Sequence, residues 1–191
     1  PYLCRRILQM MTRKEALELT KSNVSNANLI KHMLAVEAVM KKLAERLGEN
    51  ENVWTLAGLL HDLDYDFTAK DPARHGHLTV EMLASSDLPP EVLYAIKCHA
   101  NHCAPVSNLD RALVAADPVT GLIVAAALMH PAKKLSNVDA GFLLNRFKEK
   151  GFARGANRDQ IKTCASIGLD LEDFLSISLE AMKEIAEELG L

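Results

Sequence analysis

Aromatic residues are scarce in this sequence: one Trp, three Tyr and five Phe among 191 residues. A core must then be filled by Leu, Ala, Ile, Val and Met. That set suits helices that approach one another closely better than it suits a sheet, whose pleated faces favour β-branched and aromatic side chains. Excess positive charge is also missing, with 22 Lys and Arg against 25 Asp and Glu and a formal net charge of −3. Affinity for a phosphate backbone rests on clustered cations, so no nucleic-acid polymer is expected as a partner. One local exception is the cation-rich segment 146–162, with Arg146, Lys148, Lys150, Arg154, Arg158 and Lys162 against Glu149 and Asp159. It is read as a solvated helix face in preference to an anion-recruiting surface.

Cysteine is sparse too. Cys4, Cys98, Cys103 and Cys164 follow no recognisable secretory leader, so a disulfide framework is not expected and a reducing cytoplasm is the expected location. The most apolar stretch, Leu122 to Met129, is far short of the roughly 20 residues that cross a bilayer, and no membrane association is expected. Clean period-two alternation, internal repeats and Gly/Ser linkers are all missing. The expected fold class is therefore all-α, as one domain over residues 1–191. Also missing are a Gly-x-Ser-x-Gly elbow, a Cys-His-Asn order and a P-loop, which leaves no candidate nucleophilic side chain.

Helical periodicity is what the sequence does have. His32, Val36, Val39, Leu43 and Leu47 share a face that ends at Gly48. Val53 to Leu63 is apolar almost all round, the mark of a helix buried on several sides. Residues 64–74 read as a polar loop and 75–84 as a short helix. Pro89 and Pro90 open another helix, whose face carries Val92, Ile96 and His99. A helix capped by Ser107 or Asn108 is expected to break or kink at Pro118, with a second running from Thr120 to His130. Further helices are read at about 141–150, 158–167 and 171–189, with Asn157 and Asp170 as caps for the last two. The first ten residues match no later pattern and read as an upstream extension before Met11.

Several polar residues sit on faces that should be apolar: His32, His61, Asp62, His99 and Asp117. Burying a carboxylate without compensation costs several kcal/mol, and imidazoles with carboxylates on inward faces are economically explained by a shared divalent metal. His61 and Asp62 are adjacent and would point about 100° apart on a regular helix, so a metal should sit at the frayed end of theirs.

The ordered set His32, Gly58-Leu59-Leu60-His61-Asp62 and Ala116-Asp117 resembles the HD superfamily of metal-dependent phosphohydrolases. Arg74-His75-Gly76 and Ala95-Ile96-Lys97-Cys98-His99 resemble the two extra histidine motifs of members that hold two metals. The resemblance covers roughly Leu29 to Thr120, and Asp117 to Ile123 is similar to a branch of small bacterial HD hydrolases of unassigned substrate. It implies an HD-like helical bundle with a metal-site core at about 29–120 and C-terminal helices from 132–191 packed on it. It further implies one or two divalent ions (Mn, Fe, Co, Ni, Mg or Zn) held by His32, His61, Asp62 and Asp117, with His75 and His99 completing a second position. Asp62, able to touch both ions, would be the catalytic carboxylate. The reaction implied is attack by a metal-activated hydroxide on a phosphate ester or anhydride of a small, nucleotide-like substrate.

Asp64 and Asp66 are candidates to orient a ligand histidine or a water from behind, and His102 could replace or supplement His99. No Gly-Tyr-Pro motif follows the histidines, so the cyclic-dinucleotide branch is not supported. Two other readings stay open: a degenerate HD domain that binds a nucleotide or partner, and an interaction protein stabilised by zinc on Cys98, His99, His102 and Cys103. The oligomeric state is not specified by these residues.

Overall fold

The computed structural model describes residues 10–191. Cys4 and the reading of the first residues as an extension lie outside the described part. Among the described residues there is no strand. Helix α1 (Arg13–Asn23) starts where Thr12 and Glu15 form a capping box, and α2 (Ala27–Leu47) starts at Asn26 and ends at Gly48 in the left-handed region, φ 70°. Asn50 caps α3 (Glu51–Leu60), in which every residue from Val53 to Leu60 is buried. The short helices α4 (Tyr65–Thr68) and α5 (His77–Met82) lead to α6 (Pro90–His99) and to α7 (Asn108–Met129), which Ser107 caps. The remaining helices are α8 (Ala140–Lys148), α9 (Arg158–Lys162), α10 (Leu171–Glu184) and α11 (Ala186–Leu189).

Helices α2, α3, α6 and α7 pack on one another, with α1 against α3 and the C-terminal helices α8 to α11 against α7 and α2. One continuous cluster of buried apolar side chains runs from Ala16 to Leu189. The expected fold class, an all-α bundle with extra C-terminal helices, is the observed one.

Three local expectations need correction. Residues 64–74 contain the one-turn helix α4. The last helix is interrupted at Ile185, which leaves helical geometry at φ −114° and ψ 20°. Most consequentially, Pro118 lies inside one unbroken helix, α7, rather than between two. A proline within a helix costs about 3 kcal/mol through a lost hydrogen bond and a steric clash. Leu113, Val119, Leu122 and Ile123 around it are completely buried, and each such side chain contributes about 1.5–3 kcal/mol on burial. Packing therefore outweighs the local penalty. At 22 residues α7 is long and apolar enough to cross a membrane by length and composition, yet 67% of its most apolar stretch is buried inside this fold. It is the central helix of the bundle.

Gly58 sets the spacing of the bundle. A Cβ there would lie 2.8 Å from Glu37 Cα and 2.9 Å from Glu37 N, which are backbone atoms of α2 that cannot swing aside. The glycine therefore lets α3 press directly on α2, one turn before His61. We expect Gly58→Ala to destabilise the fold by about 1–3 kcal/mol, because overpacking outweighs the roughly 1 kcal/mol gain in helix propensity. Urea denaturation reads this directly, and an unchanged or higher midpoint would refute the close-packing account.

Candidate metal centre

Helices α2, α6 and α7, the end of α3 and the segment before α5 together deliver six side chains to a common point. His32 lies early in α2. His61 is the residue at which α3 ends, and Asp62 follows it in the turn. His75 precedes α5, His99 is the last residue of α6, and Asp117 sits beside the proline of α7. Helix α3 ends at His61 and Asp62 falls in the turn that follows, and the two sequence neighbours face the same centre.

The distances divide the cluster into two groups joined by Asp62. Its Oδ2 lies 3.6 Å from His32 Nε2 and 3.5 Å from His61 Nε2, while Asp117 Oδ1 lies 3.1 Å from His32 Nε2 and 4.0 Å from His61 Nε2. The other oxygen, Oδ1, lies 3.4 Å from His75 Nε2 and 3.3 Å from His99 Nε2. The facing imidazole nitrogens are 3.3 Å apart for His32 and His61 and 3.1 Å apart for His75 and His99.

The tautomers follow from what lies behind each ring. His61 Nδ1 donates to the carbonyl of Gly58 at 2.8 Å, and His99 Nδ1 donates to the carbonyl of Ile96. His75 Nδ1 donates to Asp64 Oδ1 at 2.9 Å. Thr120 uses its hydroxyl proton on the Asp117 carbonyl, so its oxygen accepts from His32 Nδ1 at 3.0 Å. A neutral imidazole has one donor nitrogen and one acceptor. When the rings are neutral, all four Nε2 atoms present lone pairs to one another and to carboxylate oxygens, an arrangement that repels itself unless a proton or a metal cation stands between. Donors held at about 2.0–2.2 Å from one ion lie about 3 Å apart, which matches the spacing here. The donor set, mixed imidazole nitrogen and carboxylate oxygen, fits a divalent transition metal.

Titration behaviour differs between the rings. Burial works to lower His32 and His75, but Asp117 and Asp62 outweigh it at His32, and Asp64 and Asp62 at His75, so both are raised. Burial pushes His61 down to about 4, so the ring is neutral and its lone pair available near pH 7. Burial also works to raise Asp62, but the imidazoles of His61, His99 and His32 outweigh it and hold the carboxyl well below the usual range. Asp117 is likewise lowered, with burial opposed chiefly by His32.

The residues expected to stand behind the ligands separate clearly. Asp64 is completely buried and accepts from His75 Nδ1, from Gly76 N at 2.7 Å and from Thr79 N at 3.0 Å. It fixes both the ring of His75 and the start of α5. Asp66 is elsewhere: it is exposed and accepts from Ser25 N and Oγ and from Asn26 N, tying α4 to the turn before α2. His102 does not take the place of His99. Its Nε2 donates to the His75 carbonyl at 2.7 Å, and its ring lies against His77. Thr120, which holds His32, was not singled out from the sequence; its position three residues after Asp117, on the same side of a continuous helix, was the available signal. Nor do Cys98, His99, His102 and Cys103 converge, since Cys103 Sγ faces the Tyr94 carbonyl at 3.7 Å while His99 and His102 face different groups.

The sequence profile of the HD domain matches residues 29–127. The chain belongs to the HD domain family. Membership places it among the metal-dependent hydrolases of the HD superfamily and carries the expectation of a divalent metal. Curated relatives are named Ribonuclease Y. The protein from Acholeplasma laidlawii is 32% identical over 49% of this chain and 18% of its own length. That from Symbiobacterium thermophilum is 28% identical over 85% of this chain and 32% of its own, and that from Desulfotalea psychrophila is 29% identical over 69% and 26%. The chain thus spans about a fifth to a third of these relatives. No solved structure matches it significantly.

These relatives correct the expectation of no nucleic-acid polymer, because each is named as a ribonuclease. The inference from net charge failed for a physical reason. A total of −3 averages over the whole surface, whereas a phosphodiester meets only local cations and bound metal.

Replacing Asp64 by Asn tests how the second half of the centre is held. The amide oxygen can still accept from Gly76 and Thr79, but the NH₂ group would face His75 Nδ1 and force the proton onto Nε2. His75 would then turn a donor, not a lone pair, toward Asp62. We expect the folded variant to bind one equivalent of Mn²⁺ or Co²⁺ fewer than wild type by titration calorimetry and elemental analysis. Unchanged stoichiometry and affinity would show that Asp64 does not set the tautomer.

Proposed function

We propose that the chain hydrolyses RNA phosphodiester bonds at a centre of two divalent metals. His32, His61 and Asp117 would hold one ion, His75 and His99 the other, and Asp62 would bridge them. The observation that carries this reading is the division of Asp62, with Oδ2 facing one donor group and Oδ1 the other. The ribonuclease relatives support RNA as the substrate.

Divalent ions held by these residues would supply Lewis acidity for a phosphoryl oxygen and for the attacking water. The chain's own work is to hold the geometry. Gly58, Ile96, Asp64 and Thr120 fix the four rings from behind, which removes the reorganisation that would otherwise accompany charge development. A cavity of about 580 Å³ adjoins His32 and Thr120, walled by Ala35, Val124 and Leu128, with Asn28 and Lys31 as its polar groups. It offers room for an organic substituent on the phosphate. No thiol competes as nucleophile in the core, since burial raises the thiols of Cys98 and Cys164.

The test compares wild type and Asp62→Asn on single-stranded RNA and on bis(p-nitrophenyl) phosphate, with Mn²⁺, Co²⁺, Ni²⁺, Fe²⁺, Zn²⁺ and Mg²⁺ in turn. Asn keeps the size of the side chain but removes the charge that holds two dications together, and a neutral amide is easier to bury. Turnover should fall by about 10²-fold or more, with helicity unchanged by circular dichroism. A folded variant that keeps most of its activity removes Asp62 from the mechanism. A wild-type protein that hydrolyses mononucleotides but leaves RNA intact would refute the substrate assignment.

A further inference from the structure

Residues 146–162 carry six cations and two acids, a local charge of +4 in a chain whose total is −3. The sequence reading of this segment as a solvated helix face does not describe it, because α8 stops at Lys148, α9 begins at Arg158, and a loop joins them. Arg158 fixes the shape of that loop. Its guanidinium donates to the carbonyls of Phe147 at 3.3 Å, Ala153 at 2.8 Å, Ala156 at 2.7 Å and Phe152 at 2.6 Å. Among the described residues no carboxylate pairs with it, so the charge is held in place without being cancelled.

Two consequences follow from this clamp. Ala153 is held at φ 43°, a left-handed conformation that a residue with a side chain adopts rarely. In a planar trans peptide the N–H points opposite to the carbonyl. The amides of Ala153 and Arg154 therefore point away from the guanidinium, and neither has a hydrogen-bond partner among the described residues. The surrounding cations are also available. Arg146 pairs with Glu149 and Lys162 with Asp159, while the exposed side chains of Lys148, Lys150 and Arg154 form no ion pair among the described residues. With Phe152 and Arg158 they line an open cleft of about 920 Å³.

We propose that this cleft binds the phosphodiester backbone of single-stranded RNA, an inference that rests on the reading of the chain as an RNA hydrolase. Fixed amides and uncancelled cations are the chemistry of an anion site. Four such cations spread across a wide cleft suit a repeating anion better than one phosphate, and the half-buried Phe152 offers a ring for a base. Helices α8 and α9 both pack on α7, the helix that carries Asp117. A strand held in the cleft is thereby attached to the same rigid element as the catalytic centre.

Binding is tested apart from cleavage, by fluorescence anisotropy of a labelled single-stranded RNA of about 20 nucleotides, with the full chain in EDTA. The variant Lys148→Gln/Lys150→Gln/Arg154→Gln is compared with wild type and with Lys14→Gln/Lys21→Gln/Lys41→Gln, which removes equal charge from exposed sites elsewhere. The cleft variant should bind about 10-fold or more weakly at about 0.1 M salt. Its slope of log affinity against log salt should shrink by about 2, for three lost phosphate contacts at about 0.7 each. The control variant should change less than about 3-fold. Equal losses in the two variants, or an unchanged slope in the cleft variant, would overturn the assignment. If wild type binds through the cleft but cleaves RNA with none of the six metals, the hydrolase reading fails and the cleft stands. If it cleaves RNA and the cleft variant binds normally, the reverse holds.

Discussion

Four imidazoles, each tied at Nδ1 to an oxygen behind it, present their Nε2 lone pairs to a single carboxylate, Asp62. This is the constraint that the rest of the molecule answers to. Rings fixed in that way cannot relieve their mutual repulsion by exchanging tautomers, because each Nδ1 proton already has its partner. Buried carboxylates cost several kcal/mol apiece when left alone, and a divalent cation would satisfy these carboxylates and the four rings together. Metal binding at these atoms would be coupled to folding.

The scaffold carries this cluster on helix ends and helix contacts, where small changes are amplified. Glycine at position 58 brings the backbones of α2 and α3 together, and its carbonyl also orients His61. Asp64 binds one ligand ring and two amides at the start of α5, so the loop between α3 and α5 is set by a single buried carboxylate. Pro118, buried in α7 without breaking it, stands beside Asp117. The rigid core serves the centre, while the cation-rich loop between α8 and α9 lies at the periphery of the same helix.

Much of this was legible in the residues. Imidazoles and carboxylates on apolar helical faces announced a site at His32, His61, Asp62, His99 and Asp117, because burial makes such groups costly unless they share a partner. Helix starts at Asn157 and Asp170 were readable because capping is local chemistry. Illegible were features whose cause is remote in sequence. Asp66 and Asp64 are two residues apart with the same side chain, yet one is exposed on the turn before α2 and the other is buried behind His75. Whole-chain charge misled in the same way, since it carries no information about where the cations lie.

The sequence by itself determined the fold class, the capped starts of several helices and the set of imidazoles and carboxylates on inward faces, because periodicity, capping and side-chain chemistry act over a few residues. Tertiary structure alone decided that α7 runs through Pro118, that Thr120 and Asp64 set the tautomers of His32 and His75, and that Asp62 divides its two oxygens between two groups. Those outcomes depend on contacts between residues up to 88 positions apart, as between His32 and Thr120. There the energy of packing and of burying polar groups in pairs exceeds any local preference of the chain.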